Sequence, residues 1–473
     1  MPQAAENKEI RWKPLFFCMA LCVALISLPI PNGLSAQAWT LFSIFITIIV
    51  GFIFKPMPMG SMAILGLAAC TLSKTISIQE ALSSFSSKTV WLIVISFFLA
   101  RGFIKTGLGS RIAYYFVYFF GKSTLGLAYS FQFTELLLAP LVPSNTARGA
   151  GIIFPIVNSL CEELESSPKT NTENKFGSFL ILVCFQANVM TSSMFLTAMA
   201  ANPLIASLAA RFEVHLTWTL WAKAALIPGF LSLITVPLLI YRLNPPEVVK
   251  TPGARDFAKK KLKELGPLKK NEKNMLVGFI LILNLWIFGD VLGIDATSVA
   301  FFGLSFLLVS GVLTWNDIIS EKNGWNTFIW LTILLMMTSH LAEFGMIQWF
   351  STKVHHMVAG DSWKVAIVIL ALIYFYSHYL FTSMTAHITS MFTAFAGIAI
   401  LSGTPPLLAT LLFAFCSNLC SGLTHYSTGP APIYFGAGYI PVRKWWSVGG
   451  LVSVAYLCIW LGTSPLWWAF ISN

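Results

Sequence analysis

Charge is what this sequence has least of. Only 10% of its 473 residues are Asp, Glu, Lys or Arg, against about 25% in soluble domains, while 56% are hydrophobic. A core surrounded by water needs a polar coat, and this chain cannot supply one. Lipid is therefore the solvent for most of it, and the bilayer is its first expected partner. Acids are scarcer than bases, 19 against 30, and a net charge of +11 could suggest nucleic acid. The placement argues against it. Between Arg242 and Lys273 lie ten Lys or Arg against four Asp or Glu, a surplus of six in one segment between two apolar blocks. Such a segment reads as a cytoplasmic loop under the positive-inside rule, and no nucleic-acid partner is expected.

Catalytic signatures are absent too. No HExxH, GxSxG or Walker A pattern occurs, so neither a metalloprotease, a serine hydrolase nor an ATP-driven pump is indicated. The chain is expected not to be an enzyme. There are eight Cys and no CxxC. Seven of them, Cys18, Cys22, Cys70, Cys184, Cys416, Cys420 and Cys458, fall in apolar stretches, with Cys161 near a polar loop; all read as small helix-packing residues. Cys416 and Cys420 share a helix face, but no His beside them completes a ligand set, and no metal site or cofactor is expected. The first apolar run follows Lys8, Arg11 and Lys13 without a convincing cleavage site, and reads as a retained span. A chloroplast protein would be expected to carry a longer Ser/Arg-rich leader, and the residues before this run do not read as one.

What the chain does have is apolar runs long enough to cross a bilayer, which takes about 20 residues. Six cover 14–32, 37–54, 59–74, 90–108, 177–200 and 219–241. Five follow the basic loop, at 275–293, 297–313, 326–347, 404–420 and 446–470. Two further blocks, 122–160 and 364–401, are each interrupted by hydroxyl residues, at 140–146 and at 382–385. Irregular backbone at membrane depth is tolerated only where protein or a wet cavity satisfies it, so these blocks read as re-entrant hairpins. The expected fold is an all-α polytopic membrane protein of about 11 crossings and two hairpins. The basic N-terminal residues and the basic loop put the N-terminus in the cytoplasm, and an odd number of crossings puts the C-terminus outside.

The halves repeat. Thr89 and Thr327 are 238 apart, as are Gly107 and Gly345; Trp91 and Trp330 are 239 apart, as are Ser144 and Ser383, and Thr146 and Thr385. With an odd number of crossings per half the repeats must be inverted, and inverted repeats with paired broken helices are the signature of an alternating-access transporter. The expected organisation is early spans at 1–110, a hairpin and spans at 111–241, the basic loop at 242–273, and the same pair again at 274–350 and 351–473.

The chemistry lies in the two interruptions. Ser144, Asn145 and Thr146 offer two hydroxyls and an amide in a row. At a hairpin tip they can hydrogen-bond a carboxylate or offer oxygens to a cation, and the helix that follows aims its N-terminal N–H groups at the same point. The plain alternative is an N-cap; the return of the pattern as Ser383, Met384 and Thr385 weakens it.

At these residues the sequence resembles the divalent anion:sodium symporter family. The run Pro143-Ser144-Asn145-Thr146-Ala147-Arg148-Gly149, continuing to Pro155, and the run from Thr424 through Ser427-Thr428-Gly429-Pro430 to Pro432 are similar, more narrowly, to its 2-oxoglutarate/malate translocators. The resemblance implies substrate carboxylates bound by Ser144, Asn145, Thr146, Ser383 and Thr385. It implies further contacts from unwound helices, mapped to Asn202 and Pro203 and to Thr428 and Pro430. It also implies a homodimer in a bacterial inner membrane whose transport unit moves as an elevator against a scaffold. Two departures stand out. Met384 occupies a place where sodium-coupled members put Asn, and Arg148 stands at a place they fill with a small residue, with His387 as its mate 239 residues on. These put sodium binding in doubt. They suggest fixed charge compensation by Arg148 and His387, and with it exchange of one dicarboxylate for another. Sodium-coupled symport is the alternative; an anion channel or an intramembrane enzyme is remote. For Arg148 the bland reading is contact with backbone carbonyls. Glu135 could pair with it or carry a proton, and His340, His378 and His425 read as packing residues before ligands.

Overall fold

The computed structural model describes residues 10–346, 349, 362–381 and 383–472. Thr382 and Asn473, both used in the sequence reading, lie outside the described residues. Helices account for nearly all regular structure, and eight among the described residues are long and apolar enough to cross a membrane. Two of these eight are the arms of the second broken block, Trp363–Leu380 and Met384–Leu401. The remainder include Ala36–Phe54, Lys88–Thr106 and Trp218–Leu243, with shorter apolar helices at Trp12–Ser27, Met59–Leu72 and Ala296–Val309.

Both broken blocks fold as helix–break–helix hairpins. In the first, Thr124–Leu138 runs to a break at 139–144, and the chain resumes at Asn145–Arg148, passes through one wide π turn at Gly149–Ile153 and continues as Phe154–Glu163. In the second, Trp363–Ser377 runs to a break, and Met384–His387, a π turn at Ile388–Phe392 and Thr393–Leu401 follow. The two π turns begin 239 residues apart, the offset of the hydroxyl residues, so the repeat extends to a local irregularity of the backbone. It extends to caps as well. Gly107 and Gly345, 238 apart, both take a left-handed conformation, at φ +74 and +78, where a residue with a Cβ would be strained.

Two further helices are broken without being hairpins. Gly177–Met194 stops at Phe195 and resumes as Ala201–Ala209, and Pro406–Leu419 unwinds before Ala431–Gly436. The apolar run 177–200 thus ends as a helix six residues early. A helix end at membrane depth must find partners for its last carbonyls, and here side chains supply them. Asn202 Nδ2 donates to the carbonyls of Ser192 and Phe195 at 2.8 and 2.9 Å, and Trp221 Nε1 to that of Ser193 at 2.8 Å. In the second break Gln186 Nε2 serves Gly422 at 3.0 Å, and Ser427 Oγ serves Thr424 at 2.9 Å.

Packing divides these elements by kind. Lys88–Thr106 packs on Ala296–Val309 and Lys322–Glu343, helices of the other half, and Met59–Leu72 on Lys322–Glu343. The broken Gly177–Met194 packs against the hairpin arm Thr124–Leu138, the broken Pro406–Leu419 and the continuous Trp218–Leu243. The basic loop carries its own helix, Pro252–Leu265. Arg111 fixes its end, bonding Glu272 at 2.7 Å and the Gly266 carbonyl at 2.8 Å, and both charged side chains are 4% exposed.

Candidate functional site

Each hairpin tip is built by the same local rule. Ser144 is extended at the N-cap, and its Oγ accepts from the N–H of Ala147 at 3.1 Å. Ser383 does the same for Ala386 at 3.4 Å. An N-cap hydroxyl satisfies one of the free N–H groups and fixes where the helix starts. The capping role and a role toward a ligand are thus not exclusive, because the cap uses the serine oxygen as an acceptor and leaves its O–H free to donate. Ser144, Asn145 and Thr146 are half-buried, as are Ser383 and Thr385, while Met384 between them is buried.

One dipeptide of the second unwound helix takes a bond from each hairpin, from the tip of the first and from the end of the first arm of the second. Asn145 Nδ2 donates to Thr428 Oγ1 at 2.8 Å. The adjacent residue, Ser427, presents its carbonyl to His378 Nε2 at 3.2 Å, just before the second tip. Gly429 follows, and a Cβ added to it would stand 2.1 Å from Thr146 Oγ1, so the unwound chain approaches the first tip as closely as a bare backbone allows. Pro430 is buried and precedes Ala431–Gly436. Four residues that sequence reasoning placed at one site, Asn145, Thr146, Thr428 and Pro430, are therefore neighbours.

The first unwound helix behaves differently. Asn202 has its amide committed internally: besides the two carbonyls above, its Oδ1 accepts from Asn418 Nδ2 at 2.8 Å. Its visible role is to hold the break open. Pro203 lines a separate cavity of about 300 Å³ with Lys88, Trp218, Trp286 and Asp295, and neither tip contributes to its walls.

Arg148 is spent. It is fully buried and pairs through Nε with Glu135 Oε2 at 2.7 Å. Its Nη1 donates to the carbonyls of Val142 and Ala198 at 2.6 and 2.8 Å, and Nη2 to Ser192 Oγ at 2.8 Å. The Glu135 carboxylate beside it offsets the guanidinium charge, and the expected role of Arg148 in charge compensation has to be read with that pair in place. A buried guanidinium left unpaired would be costly to desolvate, and Glu135 removes that cost. His387 sits at the corresponding place of the second hairpin, fully buried among the rings of Tyr374, His378 and Phe381.

Two features escaped the sequence reading. Asn188 gives its Nδ2 to both Glu135 Oε1 at 3.1 Å and the Asn145 carbonyl at 3.0 Å, tying the ion pair to the tip. An amide within an apolar helix was the available signal, repeated at Asn418. Cys420, left without a His neighbour in the sequence, has two in space: its Sγ and ring nitrogens of His378 and His387 lie within 4.8 Å of one another. That proximity depends on how a hairpin packs against a different helix, which spacing along the chain does not report.

Comparison with known proteins gives one consistent answer. Residues 9–473 match the family described as the sodium:sulfate symporter transmembrane region. The chain is 53% identical over 466 residues to the protein YflS of Bacillus subtilis, provisionally named as a malate transporter, covering 98% of each. It is 49% identical over 462 residues to the chloroplastic dicarboxylate transporter 1 of Arabidopsis thaliana, covering 97% of this chain and 83% of that one. Among solved structures, the YdaH transporter of Alcanivorax borkumensis shares the fold at a TM-score of 0.57 with 12% identity, over 97% of this chain and 98% of that one.

Proposed function

This chain belongs to the sodium:sulfate symporter family, a family of multi-span membrane transporters and not of enzymes, and from that premise we propose that it carries small dicarboxylates across a bacterial inner membrane by exchange. The substrate class is supported by relatives named for malate and for dicarboxylates. The observation that carries the reading to this chain is the bond from Asn145 at the first tip to Thr428, with the arm of the second hairpin bonding the neighbouring Ser427 through His378. A C4 or C5 dicarboxylate such as malate or 2-oxoglutarate has a carboxylate at each end. Two oxygen-rich tips, each opening a helix with its N–H groups forward, are what its two ends need. Ser144, Asn145 and Thr146 serve one carboxylate, Ser383 and Thr385 the other, and Thr428 and Pro430 line the space between. Asn202 and Pro203 act at one remove, by shaping the first break.

Exchange rather than sodium-driven uptake is supported by Met384. It is the repeat mate of Asn145 and offers no amide oxygen, so the second tip is one ligand short of the first for a hard cation. With Arg148 neutralised by Glu135, the dianion is balanced by the two helix N-termini. An empty site keeps that positive potential uncompensated at membrane depth, which slows its return, and reloading with another dianion removes the obstacle. Symport with sodium remains the competing reading, favoured by the family's description. The broken elements packed on one another would form the moving unit, the spans around Lys88–Thr106 the scaffold, and two copies a dimer, with the N-terminus cytoplasmic and the C-terminus external. Reconstituted protein decides the matter. Labelled malate should leave loaded liposomes only when a dicarboxylate is supplied outside, and fast uptake into empty liposomes driven by a sodium gradient would overturn exchange.

A further inference from the structure

We propose that His378, His387 and Cys420 form a buried binding site for a soft monovalent metal cation of the cuprous type. All three residues are inaccessible to solvent, and one donor atom from each lies within 4.8 Å of the others. The two rings meet edge to face, 4.9 Å between centroids and inclined by 62°. The site spans two elements, with His378 and His387 on either side of the second tip and Cys420 at the end of the second broken helix.

The hydrogen bonds assign the tautomers. His378 Nε2 meets a carbonyl, that of Ser427, and a carbonyl only accepts, so Nε2 carries the hydrogen. His387 Nε2 meets Ser377 Oγ at 3.0 Å, whose own proton is directed to the Tyr374 carbonyl at 2.8 Å. This ring therefore donates from Nε2 as well. Each Nδ1 is left with a lone pair, and each is buried with no hydrogen-bond partner. An unpaired buried acceptor is costly, and two such rings, each with a ring nitrogen within 4.8 Å of one thiol sulfur, are the donor set of a metal. Imidazole and thiolate together suit Cu(I) and Zn(II), with the thiolate favouring the softer ion. Bonds of about 2–2.3 Å place three ligand atoms roughly 3.5–4 Å apart, so closure from at most 4.8 Å asks for about 1.3 Å of movement at most.

Charge chooses between the ions. Cys420 bears a thiol, its Sγ turned to the Ser417 carbonyl at 3.3 Å. When Cu⁺ binds, the S–H bond breaks, an S–Cu bond forms and the proton leaves to water. One monovalent cation replaces another, no electron moves, and the pocket stays neutral. Zn²⁺ would leave a net positive charge in an apolar interior, where charge is expensive. The proposal does not depend on what the protein transports.

The test uses the purified full-length protein in detergent, without oxygen, given one equivalent of Cu(I) against a chromophoric cuprous chelator. X-ray absorption should report two nitrogens and one sulfur around the copper. An all-sulfur environment, as the other cysteines would give, overturns the proposal without any variant. Cys420→Ser should lose the chelator-resistant equivalent and Cys416→Ser should keep it; undiminished copper in Cys420→Ser overturns the site. Zn²⁺ should be held at least tenfold more weakly, and equal retention of the two ions would refute the choice of ion.

Discussion

Asn145 and Thr428 stand 283 residues apart in sequence and 2.8 Å apart in space, amide donating to hydroxyl. That bond joins the tip of the first hairpin to the unwound part of the second broken helix. It makes the candidate site a joint product of the two halves.

Removing single tip groups should weaken substrate without unfolding the protein. Ser144→Ala, Asn145→Ala and Thr385→Ala each delete one polar group at a half-buried position. A hydrogen bond to a charged group contributes about 1.5–3 kcal/mol, so dissociation constants should rise about tenfold or more. Calorimetric titration with malate checks this, and wild-type affinity in all three would remove the tips from the site.

Gly429 offers a more selective probe. An added Cβ would stand 2.1 Å from Thr146 Oγ1, so Gly429→Ala should push the unwound segment off the first tip and reduce exchange strongly. In a Thr146→Ala background the collision is gone, and the second substitution should add little. Contacting residues show such non-additivity; two independent, additive losses would mean that the close approach is not what matters.

The Glu135–Arg148 pair should matter more to stability than to charge at the site. Breaking a buried pair by removing one partner costs about 3–5 kcal/mol. Arg148→Ser should therefore lower the melting temperature markedly, by leaving Glu135 buried without its cation. Combining it with Glu135→Gln should recover much of the loss. A stable Arg148→Ser protein with altered sodium dependence would instead restore Arg148 as a counter-charge for substrate.

Sidedness follows from the Lys and Arg distribution. Cysteines introduced at Lys261 and Ser472, with native thiols blocked beforehand, should react with an impermeant maleimide from opposite faces of the membrane. Labelling of both from one face would contradict the odd number of crossings and, with it, the inversion of the halves.

Much of this architecture was legible because the hydrophobic effect writes it into composition. The apolar runs located the helices, and the hydroxyls at 140–146 located the first break. The repeat of Ser144 and Thr146 as Ser383 and Thr385 pointed to the second tip. Pairings between elements were less visible. That Glu135 would neutralise Arg148 was one of two readings left open, since 13 residues across a break fix no distance. Asn202 was named because the family resemblance places an unwound helix there, and the sequence cannot say that its amide would be taken up by the Ser192 and Phe195 carbonyls. The π turns were invisible, since an extra residue in one helical turn leaves no compositional trace.

The dipeptide Ser427–Thr428 also couples two hairpins through one peptide. Thr428 takes the Asn145 amide of the first, and Ser427 gives its carbonyl to His378 in the arm of the second. The first bond is amide to hydroxyl and the second imidazole to carbonyl, so either can be removed by a side-chain substitution that leaves the other in place. Displacing this one peptide would disturb both contacts at once.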